Sequence, residues 1–254
     1  MEKGKMKKFN TTGKCIPEKH YMVDISDRVN AAVKMVDDGT YFTINRGRQY
    51  GKTTLLAQLK KALEDQYLVY SISFEGIENE IFESAAPFYM NFFGLLYDEG
   101  ILNEGSDILK EASEDEKITG RKASGLITEI CRISKKPVVL IIDEVDQAGN
   151  FDMFIKFLGL LRKKYLEKDE KATFQSVILA GVYDVKNLKL KIRSDEEHQY
   201  NSPWNIADSF EADMSFSAKD IETMLKEYEN EHESGMDIGV AAREIEAYTS
   251  GYPF

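Results

Sequence analysis

Apolar residues recur at helical spacing from Asp27 to Asp38, where Val29, Ala32, Val33 and Val36 share one face before Asp38-Gly39 closes the segment. Tyr41-Phe42-Thr43-Ile44 is a short β-rich run. From Thr53 to Asp65 the helical period returns, with Leu55, Leu56, Leu59 and Leu63 inward and Gln58, Lys60 and Lys61 outward. The order is strand, loop, helix. Tyr67 to Phe74 reads as a second strand, and residues 77–135 read mostly as helices, with polar breaks near Asn103-Glu104-Gly105 and from Lys117 to Arg121. Pro137 opens Val138-Val139-Leu140-Ile141-Ile142, apolar at every position, as a central parallel strand covered on both sides would be. A helix over about 151–166, a β-rich run from Phe174 to Ala180, a polar stretch from Lys186 to Ser209 and a last short strand at Met214-Ser215-Phe216 follow. Ser217 and Asp220 resemble a capping box ahead of Ile221, Met224, Leu225 and Tyr228. Ile238, Val240, Ala241, Ile245 and Tyr248 mark one more amphipathic segment. Strands alternating with helices over this length predict an α/β domain with a mainly parallel sheet. No internal repeat or low-complexity linker interrupts it.

Composition narrows the function classes without choosing one. The chain has 254 residues, 43% of them apolar, enough for one large domain or a main domain with a small appendage. Its 33 Lys and Arg against 44 Asp and Glu give a net charge of −11, which disfavours a general nucleic-acid coat or a binder of anionic membranes. The first 60 residues carry a net charge of +6, so the remainder carries −17. Two cysteines, Cys15 and Cys131, make no disulfide framework, the Lys-rich start leads into no apolar stretch, and nothing approaches the ~18 apolar residues of a membrane span. A reduced, cytoplasmic protein is expected. The apolar Phe254 after Gly251-Tyr252-Pro253 is an unusual finish, and a fragment of a longer protein is expected there.

The most informative residues are Arg46-Gly47-Arg48-Gln49-Tyr50-Gly51-Lys52-Thr53-Thr54, between a strand and a helix. Phosphate binding needs inward backbone N–H groups from a Gly-containing loop at the positive end of a helix dipole. It also needs a Lys that reaches the β- and γ-phosphates and a hydroxyl for Mg²⁺. Lys52 and Thr53 stand at those two places. Arg46 departs from G-x-x-x-x-G-K-[ST] at its first position, and the short Gly51-Lys52-Thr53 tripeptide alone could be an ordinary polar loop. Context adds a second motif, because the strand Val138–Ile142 runs into Asp143 and Glu144 at its C-terminal end, the edge that faces the ligand crevice in open α/β sheets. Strand alternation would point the two carboxylates in different directions. Asp143 would then hold Mg²⁺ through a coordinated water, and Glu144 would polarise the water attacking the γ-phosphate. Asp146 and Gln147 either orient the metal shell or are solvated loop residues.

These residues resemble the AAA-like P-loop ATPases of bacteria, related to the STAND and archaeal ATPase groups. The resemblance spans nearly the whole chain and rests on Tyr21-Met22-Val23-Asp24, the segment Phe42–Thr53, Val139–Glu144 and Gly251-Tyr252-Pro253. Phosphate loops rich in Arg and lacking the first Gly are familiar in that group. The resemblance implies a three-layer α/β/α sandwich with a five-stranded sheet of order 5-1-4-3-2, in which the Walker B strand does not neighbour the phosphate-loop strand. It implies an N-terminal arm and first helix on the adenine side (residues 1–40), an ATPase core (41–217) and the start of a truncated helical lid (218–254). His20 and Tyr21 would either stack on the base or simply pack the arm. Gly251 and Pro253 match the Gly-x-Pro turn that opens the lid and touches nucleotide. ATP and Mg²⁺ are the implied cofactors.

Other expected roles are poorly placed. A polar sensor residue usually follows the fourth strand, but Ala180-Gly181-Val182 offers none before Tyr183 and Asp184. Arg162 and Arg193 are candidate arginine fingers or plain surface residues. His20, His198 and His232 form no evident metal cluster, and the aromatic run Phe82, Phe88, Tyr89, Phe92, Phe93 and Tyr97 suits core packing. The expectation is an ATP-hydrolysing module coupled to a lid or to an effector domain beyond Phe254, with no membrane partner, nucleic acid disfavoured and oligomerisation open. The alternative is a nucleotide-gated switch with little or no hydrolysis.

Overall fold

The computed structural model describes residues 6–101, 105–182 and 204–253. In chain order the elements are α1 (Ser26–Asp37), β1 (Phe42–Asn45), α2 (Lys52–Leu63), β2 (Leu68–Ser73), α3 (Ala85–Asp98), α4 (Ser106–Ser113), α5 (Gly120–Ile133), β3 (Val138–Asp143), α6 (Asp152–Leu166), β4 (Ser176–Gly181), β5 (Asp208–Ser209), α7 (Ala218–His232) and α8 (Ile238–Thr249). The chain forms two compact units, one from Lys34–Asn45 and Leu63–Phe210, the other from Met1–Val33, Arg46–Ala62 and Glu211–Phe254.

The first unit holds a five-stranded sheet of order β2-β3-β4-β1-β5, which is 5-1-4-3-2 read from the other edge. Every pairing is parallel, and β4 lies between β3 and β1. All six residues of β3 and of β4 are buried, as the unbroken apolar run Val138–Ile142 predicts for β3. The expected α/β sandwich with its distinctive strand order is therefore present. The rings of Phe74, Phe82, Phe88, Phe154 and Phe157 pack edge-on or tilted at centroid separations such as 5.2 Å for Phe88 and Phe157. Each buried Phe contributes about 1.5–3 kcal/mol by removal from water. Five of the six aromatics expected in the core are there, and Tyr97 is 40% exposed.

The last strand differs from expectation. Met214–Phe216 forms no strand, because its backbone groups are engaged elsewhere: Ser215 O accepts from Arg28 Nη2 at 2.8 Å, and Phe216 N donates to Gly251 O at 2.7 Å. The fifth strand is instead Asp208–Ser209, at the end of the stretch that reads as polar loop, and it pairs with Phe42 and Thr43.

The second unit joins three distant stretches of chain. Arg28 donates to Asp213 O, Ser215 O and the Asp220 carboxylate, all within 3.0 Å. The Ser217–Asp220 capping box is formed, and Asp237 caps α8 by accepting from Val240 N. Ile221, Leu225 and Ala242 make the small core between α7 and α8. After α8 the chain turns through Ser250 and Gly251 with φ of 52° and 72°.

Gly251 tolerates no side chain. A Cβ there would lie 2.6 Å from Phe216 O and 3.1 Å from Phe216 N, both backbone atoms, at a φ that L-residues disfavour. Gly251→Ala should therefore cost about 1–3 kcal/mol, read as a lower urea midpoint; an unchanged midpoint would contradict this packing. A second expectation concerns high pH. Burial pushes the phenols of Tyr21, Tyr67 and Tyr89 up to about 12, with hydrogen bonds to Glu231 and Asp37 adding to the effect at Tyr21 and Tyr67. A folded value above the unfolded ~10 makes their stabilisation complete below pH ~10 and lost as pH rises toward 12. Absorbance at 295 nm should show fewer ionised tyrosines at pH 11 in native protein than in urea.

Candidate functional site

The chain leaves β1 at Asn45 and enters α2 at Lys52, so the loop Arg46–Gly51 runs directly into a helix N-terminus. The first turn of a helix presents backbone N–H groups without intrahelical acceptors, and the dipole makes that end positive. Gly51, with φ 76°, makes the left-handed turn that admits the chain into α2, and a Cβ there would meet no atom within 4 Å. Gln49 adopts φ 63°, a conformation that costs a non-glycine residue about 1–2 kcal/mol. Strain of that kind persists where surrounding structure enforces it, and it clusters at ligand sites.

Lys52 is 6% exposed, and its ammonium donates to Arg46 O at 2.9 Å and to Gly47 O at 3.1 Å. A buried ammonium needs such partners to offset its lost hydration. Arg46 donates from Nη2 to Ala212 O at 3.0 Å, whereas Arg48 is exposed. Thr53 is exposed in the first turn of α2, and Thr54 Oγ1 accepts from Cys15 N at 3.0 Å.

Tyr252 is the loop residue's partner that the sequence did not reveal. Its hydroxyl lies 3.0 Å from Arg48 O and 3.2 Å from Gln49 Oε1, and its ring meets Tyr50 edge-on at 4.9 Å. The Gly-Tyr-Pro turn was expected to act through Gly251 and Pro253, and the residue between them makes these contacts. Only its place in that tripeptide could have signalled them.

Tyr21, expected beside the base, is 3% exposed. Its hydroxyl donates to Glu231 Oε2 at 2.7 Å and lies 3.1 Å from His232 Nε2, while the rings of Phe9 and Tyr228 flank it. His20 is buried too, and its Nδ1 accepts from Ile16 N at 3.0 Å. Both residues pack the N-terminal arm in this arrangement.

In the sheet-bearing unit, β3 ends at Asp143, which is 8% exposed and whose Oδ1 accepts from Glu144 N at 2.9 Å. Strand alternation does not set the direction of Glu144, contrary to expectation. The strand has already ended, and Glu144 takes the left-handed conformation (φ 53°, ψ 40°) before a turn of 3-10 helix over Val145–Gln147. Asp146 accepts a hydrogen bond from Val182 N through Oδ2, and a Cβ on Gly181 would lie 2.9 Å from that oxygen. Asp146 thus joins this turn to the end of β4, and Gln147 is exposed. Arg162 donates from Nε to Asn205 Oδ1 at 3.1 Å. Tyr183, Asp184, Arg193 and His198 lie outside the described residues.

Thr53 and Asp143 offer a hydroxyl and a carboxylate, the hard oxygen donors that Mg²⁺ accepts. Mg²⁺ is usually held by one or two protein ligands together with phosphates and water, and each of these residues offers a donor of that kind within its own unit. Among the described residues no group of three or more His, Cys, Asp or Glu is placed to hold a metal unaided, and no helix is long and apolar enough to cross a membrane.

Comparison with solved structures agrees with the fold. A Walker-type ATPase of Pyrococcus abyssi superposes with a TM-score of 0.62 at 15% identity, covering 96% of this chain and 67% of that one. Weaker likenesses are to the Drosophila origin recognition complex bound to AT-rich DNA and Cdc6 (TM-score 0.41, 13% identity, 63% of this chain and 46% of that one) and to the Pif1 helicase of Candida albicans (0.34, 22%, 65% and 34%). No curated protein matches the chain in sequence. Residues 18–254 match the profile of the AAA-like domain, and the chain belongs to that family.

Proposed function

We propose that this P-loop ATPase module binds ATP through Arg46–Thr54 and hydrolyses it with the help of Glu144, coupling the nucleotide state to its C-terminal helices. The observation that carries this reading is Lys52: a buried ammonium at a helix start, held by two carbonyls of a loop that a left-handed glycine closes. The dehydration that a phosphate-binding lysine must undergo is largely complete before ligand arrives. Nucleotide binding then exchanges the Arg46 and Gly47 carbonyls for β- and γ-phosphate oxygens, a stronger charge-assisted contact. Backbone N–H groups from Gly47 to Thr54 surround the phosphates, and the exposed Arg48 adds positive charge.

Mg²⁺, when bound, neutralises charge on the β- and γ-phosphates, and Thr53 and Asp143 are the residues that would hold it. Glu144 orients and polarises the attacking water, and its left-handed backbone turns the chain off the line of β3. Tyr21 serves the adenine side by anchoring the arm, since its ring packs against those of Phe9 and Tyr228. Tyr252 supports the coupling step, because a loop that rearranges around phosphate must alter the Arg48 carbonyl on which this hydroxyl rests. An effector beyond Phe254 would receive the movement.

The same contact favours the second reading, a switch that binds nucleotide and turns it over little or not at all, because it senses occupancy without needing hydrolysis. Two variants separate the possibilities. Lys52→Ala should abolish the rise in thermal stability that ATP and Mg²⁺ give the wild type, about 2.7 kcal/mol at 100 times the Kd; a retained shift would reject the loop as the site. Glu144→Gln should keep that shift but lower single-turnover release of γ-labelled phosphate by about 10²–10⁴. Equal release from both proteins would remove Glu144 from the mechanism, and negligible release from wild type would select the switch.

A further inference from the structure

Only two lysines among the described residues are buried, Lys52 and Lys164. Lys164, in the last turn of α6, is also 6% exposed, yet among the described residues its ammonium has a single hydrogen bond, to Thr128 Oγ1 of α5 at 2.6 Å. No carboxylate among the described residues lies within ion-pair distance. An ammonium has three donors, and leaving a buried charge so thinly compensated is costly. A Met would fill the same stem space without that cost. The helix dipole does not account for the arrangement either, because the carbonyls of Lys163, Lys164 and Tyr165 already accept from the backbone N–H groups of Glu167 and Lys168.

Lys164 faces an open cleft of about 330 Å³ between α5 and α6, lined also by Arg121, Ser124, Lys163, Glu167 and Lys171. Four cationic side chains meet one carboxylate there. Glu167 is divided between Lys171 Nζ at 2.9 Å and Lys163 Nζ at 3.8 Å, and the Lys171 hydrogen bond holds its carboxyl below the ordinary glutamate range. Arg121 makes no ion pair among the described residues. A chain with net charge −11 thus concentrates a local charge of +3 around one concavity.

We propose that this cleft binds the phosphoryl group of a small phosphorylated molecule, with Lys164 and Arg121 as its cationic anchors and the Ser124 and Thr128 hydroxyls as further donors. A dianion matches the excess charge, and converging ammonium, guanidinium and hydroxyl groups suit a tetrahedral oxyanion. The volume is at the lower end of small-molecule sites, ~300–1,000 Å³, so there is room for a compact organic group beside the phosphate. Burial pushes the Lys164 ammonium below the ordinary lysine range, and an anion in the cleft would raise it again. The site is independent of the nucleotide reading.

The test uses the full chain carrying Lys52→Ala, so that phosphate cannot report on the Arg46–Thr54 loop. Inorganic phosphate and then phenyl phosphate are titrated at constant ionic strength against potassium chloride, following the backbone amide resonances of Gly125, Thr128, Lys164 and Lys171. Saturable shifts with phosphate, tighter with phenyl phosphate, are expected. Lys164→Met should weaken binding about tenfold. Should that variant fail to fold, Arg121→Gln at an exposed position should weaken it several-fold. Shifts no larger than those of chloride, or affinities unchanged in the folded variants, would overturn the proposal. Saturation by poly-glutamate without any response to phosphate would overturn it in favour of an acidic protein segment.

Discussion

The arrangement depends on β4 being hydrogen-bonded on both sides. It pairs with β3 through Val139↔Ser176 to Ile142↔Leu179 and with β1 through Phe42↔Ile178 to Asn45↔Gly181. Because both ladders are parallel, β1, β3 and β4 all end at one edge of the sheet, and the register leaves no freedom to slide. A one-residue slip would turn every side chain of a strand to the opposite face. The point where the chain departs toward the phosphate loop and the point where β3 delivers Asp143 are therefore fixed by the same central strand. Its burial along all six residues supplies the stability that holds them there.

Beyond that edge, direction is set by backbone conformation more than by strand geometry. Gln49, Gly51 and Glu144 all occupy the left-handed region. Glycine enters it freely, whereas Gln49 and Glu144 enter it against their intrinsic preference. At Glu144 the neighbouring contacts provide the restraint: its amide donates to Asp143, and two residues later Asp146 is fastened to Val182. The carboxylate end of β3 is in effect welded to the end of β4, and bare Gly181 is what lets the Asp146 side chain approach so closely.

Much of the fold was legible because it rests on long, uniform signals. Val138–Ile142 is apolar at every position and became a wholly buried strand, while the leucine stripe of Thr53–Asp65 became α2. The Ser217–Asp220 pair became the cap of α7. What escaped has short or nonlocal causes. β5 is two residues long, too few for any period, and owes its existence to the exposed edge of β1. Met214–Phe216 has a strand's composition, but its hydrogen bonds are claimed by Arg28 and Gly251, far away in sequence. In the candidate site, Lys52, Thr53, Asp143 and Glu144 were visible as motif letters. The contacts that fasten the loop and the turn after β3, such as Tyr252 on Arg48 and Asp146 on Val182, depend on turns that no local pattern encodes. Lys164 is the extreme case, one lysine among several at a helix end, distinguished only by where its nitrogen lies.

The unit that carries the phosphate loop is assembled from Met1–Val33, Arg46–Ala62 and Glu211–Phe254, and this affects the order in which the protein can form during synthesis. The sheet-bearing unit has all of its strands once Phe210 has left the ribosome. The loop does not, because the partner of the Arg48 carbonyl is Tyr252 and that of Tyr21 is Glu231. At about 5–20 residues per second, the 204 positions from Arg48 to Tyr252 correspond to a delay on the order of 10–40 s. A nascent chain therefore carries a phosphate loop without its Tyr252 contact throughout that interval, and the loop gains that restraint only after the last strand of the sheet has been synthesised.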